Sequence, residues 1–149
     1  MKIECILQLM EEKGYISKNS LEEYDCMPKV DRIENKRGKE FGEKLFEAIK
    51  QSGEYLIDLA NINYSKIEIA KKSDIDNWLQ LFSDKEENRI RWSNMRLDSD
   101  IFKYIEEKGY KAKKTYNHIQ VTNLAIREKR LNKEEEKNQE AIDLLDKLL

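Results

Sequence analysis

The chain has 149 residues, and its 28 lysines and arginines are set against 30 acids for a net charge of -2. That balance excludes a global electrostatic pull toward nucleic acid or anionic lipid, so any such binding needs a local patch. Its 39% charged content stands well above the roughly 25% of an average globular chain, which calls for a heavily ionic surface around one core.

No apolar run reaches the roughly 18 residues that span a bilayer, and Met1-Lys2-Ile3-Glu4 opens no signal peptide. The expectation is a cytoplasmic protein that does not enter a membrane. Cys5 and Cys26 are too few for a disulfide framework and read as reduced thiols. A bias toward Lys, Ile, Asn and Glu points to AT-rich codons, such as those of a low-GC bacterium or of a phage or mobile element within one.

In chain order, Ile6, Leu7, Leu9 and Met10 predict a helix over about 3–13, ended by Gly14 with Tyr15 folding back in a Schellman arrangement. The letters Glu-Glu-Lys-Gly-Tyr recur at 106–110, which predicts a second helix end of the same chemistry. Ser17 or Asn19 is expected to cap a short helix through Leu21 and Tyr24, and the polar stretch 29–39 reads as a loop. Phe41, Leu45, Phe46, Ala48 and Ile49 give a helical stripe over about 40–52.

Residues 55–60 and 66–69 read as two strands able to pair as a hairpin. Ser73 with Asp76 resembles a capping box ahead of Ile75, Trp78, Leu79 and Phe82, and Ser83 with Glu86 forms another. Ile90 and Trp92 alternate with Arg89 and Arg91 as on a half-buried strand. Asp98 or Ser99 caps a helix carrying Ile101, Phe102, Tyr104 and Ile105. Two strands joined across Tyr116-Asn117 follow, and a breaker-free helix runs from about Asn123 to Leu149. Leu124, Leu131, Asn138 and Leu145 recur every seven residues, but the second heptad row, Glu128, Glu135, Ile142 and Leu149, is half charged, so only 141–149 offers a docking face.

These elements imply an α+β fold: a small antiparallel sheet with packed helices and a long charged C-terminal helix. The expected organisation is one globular domain over 1–122 and the helix over 123–149.

Two basic clusters are the candidate binding residues: Arg89, Arg91, Trp92 and Arg96 on one segment, and Lys111, Lys113 and Lys114 on a hairpin. Guanidinium forks and a lysine-rich wing both suit phosphates or carboxylates, although solvated strand edges have the same composition. Ile142, Leu145 and Leu149, spaced three and four apart, are the candidate docking or homodimer strip. His118 has no triad partner, and two cysteines with one histidine fit no zinc pattern, so no metal, cofactor or catalytic residue is expected.

The stretch ILQLMEEKGYISKNSLEEY resembles the first two helices of a winged-helix regulator, which implies a recognition helix next. Met27-Pro28 and a loop stand there instead. Asp58 and Glu68 on adjacent predicted strands resemble the acids of PD-(D/E)xK nucleases, but Ala70 occupies the place of the lysine. The expected function is therefore a protein-binding regulator or inhibitor acting on host defence or nucleic-acid machinery. A nucleic-acid-binding regulator using the basic strand and hairpin is the alternative.

Overall fold

The computed structural model describes residues 2–21, 28–59, 63–81, 83–90, 99–115 and 118–149. Among these described residues five helices and two small antiparallel sheets build an α+β fold that ends in a long helix. Where one sheet was expected there are two, and each has its own apolar surroundings.

Helix α1 (Ile3–Glu12) closes as its sequence predicts. Gly14 has φ of 75°, its N–H donates to the Glu11 carbonyl at 3.0 Å, and the Tyr15 N–H donates to Met10 at 3.0 Å. Only glycine enters that left-handed region without a Cβ penalty. Ser17 and Asn19, expected to cap a second helix, lie instead within strand β1 (Ile16–Ser20), and the expected loop contains strand β2 (Asp31–Asn35). The winged-helix resemblance is therefore broken by β1, where its second helix should begin. Tyr24, Cys26 and Met27 lie outside the described residues.

Helix α2 (Lys39–Ser52) leads to β3 (Leu56–Leu59) and β4 (Lys66–Ala70), which pair as the sequence suggested. The first sheet has strand order β1-β2-β4-β3. One face carries Ile33, Ile57, Ile67 and Ile69 against Ile3 and Leu7 of α1 and Leu45 and Ile49 of α2. The opposite face carries Leu56 and Ala70 toward a second apolar cluster.

That cluster is filled by α3 (Lys72–Gln80) and α4 (Asp100–Glu107), with Ile75, Trp78, Leu79, Ile101, Phe102 and Ile105 inside. Lys71 occupies the N-cap of α3 without a side-chain bond, so Ser73 does not form the expected capping box. Ser83 and Glu86 likewise start no helix, and strand β5 (Glu87–Ile90) follows them; the side chain of Phe82 is not described. Ser99 does cap α4, accepting from the Phe102 N–H at 3.3 Å. The Tyr104 hydroxyl donates to Asp76 at 2.7 Å and ties α4 to α3.

Strands β6 (Tyr110–Lys114) and β7 (Ile119–Asn123) form the expected hairpin, and β5 joins them in the order β5-β7-β6. Ile119 and Val121 of β7 are fully buried and close the second cluster. Asn123 ends β7 and also caps α5 (Leu124–Leu148). Its Oδ1 accepts from the Ile126 N–H at 3.4 Å, and its Nδ2 donates to the Ser83 carbonyl at 3.1 Å. No residue of α5 is buried.

Candidate functional site

The two basic clusters can be placed only through strand register, because register decides which side chains share a face. Arg89 of β5 pairs with Gln120 of β7, which pairs in turn with Lys113 of β6. Glu87, Thr122 and Lys111 form the neighbouring row. Both rows point away from buried Ile119 and Val121, so Arg89, Lys111 and Lys113 share one outer face with Glu87. Arg89, Lys111 and Lys113 are exposed. Lys114 is in register with Ile119 and belongs to the opposite face. Arg91, Trp92 and Arg96 lie outside the described residues.

The C-terminal strip is also exposed. Ile142 is 51%, Leu145 59% and Leu149 103% open to solvent. Leu144 and Leu148 widen the patch beyond the residues picked by spacing, and Leu131 stands exposed about three turns earlier. Arg130 marks where the arm leaves the body: its Nε meets Glu86 at 2.6 Å and its Nη1 meets Glu134 at 3.1 Å. Beyond it α5 makes no buried contact among the described residues.

A third feature joins Asp58 and Glu68, which the sequence places on adjacent strands, to Arg32, which the sequence does not single out. On the α3/α4 side of the first sheet, Arg32, Glu68 and Asp58 stand in one cross-strand row. Glu68 is fully buried and Asp58 nearly so. Glu68 Oε1 accepts from Arg32 Nη2 at 2.7 Å and Nε at 3.2 Å, a charge-assisted pair. Glu68 Oε2 has no hydrogen-bond partner among the described residues. Asp58 Oδ1 accepts from the Leu59 N–H at 2.8 Å. Ala70 pairs with Leu56 in the adjoining apolar row, so no lysine joins these acids there. The arrangement holds β2 against β4 electrostatically.

At the end of the same sheet lies a cleft of about 590 Å³ among Glu4, Glu11, Lys18, Asp31, Tyr55 and Lys71. Four of these charges are paired with one another. The Tyr55 hydroxyl donates to Glu4 at 2.9 Å, Lys71 meets Glu4 at 3.2 Å, and Lys18 meets Asp31 at 3.5 Å. The hydrogen bond from Tyr55, then the one from Lys71, holds the Glu4 carboxyl below its ordinary value. Burial first, and Glu4 second, pushes the Tyr55 phenol up, so it remains a donor across the working pH range. This is bracing for α1, with a proton held in place at Tyr55.

Among the described residues no three His, Cys, Asp or Glu side chains are grouped to hold a metal ion, and no helix is long and apolar enough to cross a membrane. No family model, curated protein or solved structure matches this chain.

Proposed function

We propose that this chain is a non-catalytic protein-binding regulator or inhibitor of another macromolecule, with α5 as its binding arm. One observation carries the reading: a helix of 25 residues has no buried residue, yet its last turns expose Ile142, Leu144, Leu145 and Leu148 together. Helices in water draw most of their stability from burying a face, and contiguous exposed apolar patches rimmed by charge mark contact surfaces. The arm supplies such a patch on a rigid, charged stalk. The test is affinity capture with the full chain, a deletion of residues 139–149 and the double variant L145D/L148D. Stoichiometric association with a protein, lost in both variants, supports the reading. Association unaffected by either variant, or none at all, overturns it.

A second reading is favoured by the shared outer face of the second sheet. Arg89, Lys111 and Lys113 could contact successive phosphates there, with Glu87 opposing them. If all three neutralise phosphates on duplex DNA, affinity should fall with a log–log salt slope of about -2.7. Gel shifts on duplex and single-stranded DNA and RNA at two salt concentrations decide the matter. Salt-sensitive retention lost in R89E/K113E would replace the first reading by this one.

A further inference from the structure

We infer that α5 pairs antiparallel with the α5 of a second copy of this chain, crossing near Asn138. The inference rests on the reading of α5 as a binding arm and names the occupant of its apolar strip in the absence of a target.

The orientation follows from the charge along the helix. Residues 124–133 carry four cations, Arg127, Lys129, Arg130 and Lys133, against the single anion Glu128. Residues 134–149 carry six anions against two cations, Lys137 and Lys147. The arm is thus positive in its first half and negative in its second. This polarity works against the helix itself, whose macrodipole favours anions at the N-terminus and cations at the C-terminus. The first turn of α5 has no acid. A sequence arranged for an isolated helix would run the other way.

An antiparallel partner turns that cost into attraction, because each positive half then faces a negative half. A parallel partner would set like charge against like along the whole arm. The apolar positions agree with the antiparallel choice. Leu131 stands alone in the positive half, whereas the negative half ends in the cluster at 142, 144, 145 and 148. Crossing near Asn138 brings Leu131 of each copy beside the Leu145–Leu148 turn of the other. Leu131 and Leu145 of the two copies then cover each other, and the polar Asn138 falls at the centre, where a buried polar residue fixes register. Isologous two-fold pairing of this kind closes on itself and leaves no unpaired end to propagate a fibre.

Sedimentation across a wide concentration range, together with one distance, tests the inference. The full chain should form a dimer that weakens with added salt, and L131D/L145D should be monomeric with the circular dichroism of the globular body retained. A spin label at K147C, in a chain carrying C5S and C26S, should report about 27 Å between copies, from about 18 residues at 1.5 Å each. A parallel pair would place the labels only about 10 Å apart. A chain that remains monomeric overturns the inference. So does a dimer with the short distance, or one that survives L131D/L145D. In each of those cases α5-dependent capture of a different protein would leave the binding-arm reading standing, so the two failures are distinguishable.

Discussion

Replacing Gly42 with alanine adds one methyl group to the buried side of α2. Helix preference alone would make this change favourable by about 1 kcal/mol. The structure reverses the sign. A Cβ at Gly42 would lie 2.5 Å from Asn35 Nδ2 and 2.7 Å from both the Cβ and the carbonyl oxygen of Tyr64. Two of those atoms cannot swing aside. Tyr64 sits at φ of 59° with its ring edge-on to Phe46 at 5.7 Å, and Asn35 Nδ2 donates to the carbonyls of Gly38 at 2.7 Å and Tyr64 at 3.2 Å. Overpacking of this kind costs about 1–3 kcal/mol. Displacing the Asn35 amide adds about 1 kcal/mol for a weakened hydrogen bond. With the helix-preference gain subtracted, G42A should lose about 2 kcal/mol. In a chain of this length that lowers the melting temperature by about 4–8 °C. Urea denaturation monitored by tryptophan fluorescence measures it directly. A G42A protein as stable as the parent, or more so, would refute the close approach of α2 to the Asn35 side chain and to Tyr64.

Three further outcomes are expected. R32A leaves the fully buried Glu68 without its cation and should cost about 3–5 kcal/mol in chemical denaturation, while R32M/E68L should recover most of it; a loss under about 1 kcal/mol in R32A would show that the pair does not hold β2 to β4. Glu4 is held below its ordinary value of 4.5, so its contribution is present above that value and is lost as pH falls through the folded one. The stability gap between parent and E4Q should therefore be open at neutral pH and closed in acid; a gap that widens in acid contradicts the bracing role. G14A and G109A force alanine into φ of 75° and 93° and should each cost about 1–2 kcal/mol by thermal melts, and an unchanged melt in either would show that its helix ends differently.

Much of the fold was legible where the pattern is local. The caps at Gly14 and Ser99, the β6–β7 hairpin and the start of α5 at Asn123 each involve residues a few positions apart. The strands missed are β1 and β2, each for a physical reason. β1 buries only Ile16 and runs along a sheet edge, so Ser17 to Ser20 show none of the alternation that marks a strand. β2 lies between β1 and β4, yet where a strand covered on both faces would carry an apolar residue it carries Arg32, whose partner Glu68 is 36 positions away. An ion pair replaces the apolar signal, and the sequence around one member does not show the other. The basic clusters teach the same lesson. Lys111, Lys113 and Lys114 look equivalent along the chain, but only pairing with β7 separates Lys114 from the other two and sets them beside Arg89.

The joint at Asn123 has a mechanical consequence. No loop separates β7 from α5: one residue closes the strand, caps the helix and is bonded on two sides, its N–H to the Glu86 carbonyl at 2.7 Å and its side chain to Ser83. Leu124 adds a bond from its N–H to Gly109 at 3.1 Å, so the helix root is anchored to the turns before β5 and before β6. A helix of 25 residues is a lever about 37 Å long at 1.5 Å per residue. A tilt of about 10° would carry its tip through about 6 Å, far more than the spacing of one bond at the root. With no hinge to absorb it, torque on the arm is delivered to the middle strand of the second sheet. Whatever seats on the tip of α5 therefore pulls on the strand whose Ile119 and Val121 close the second core.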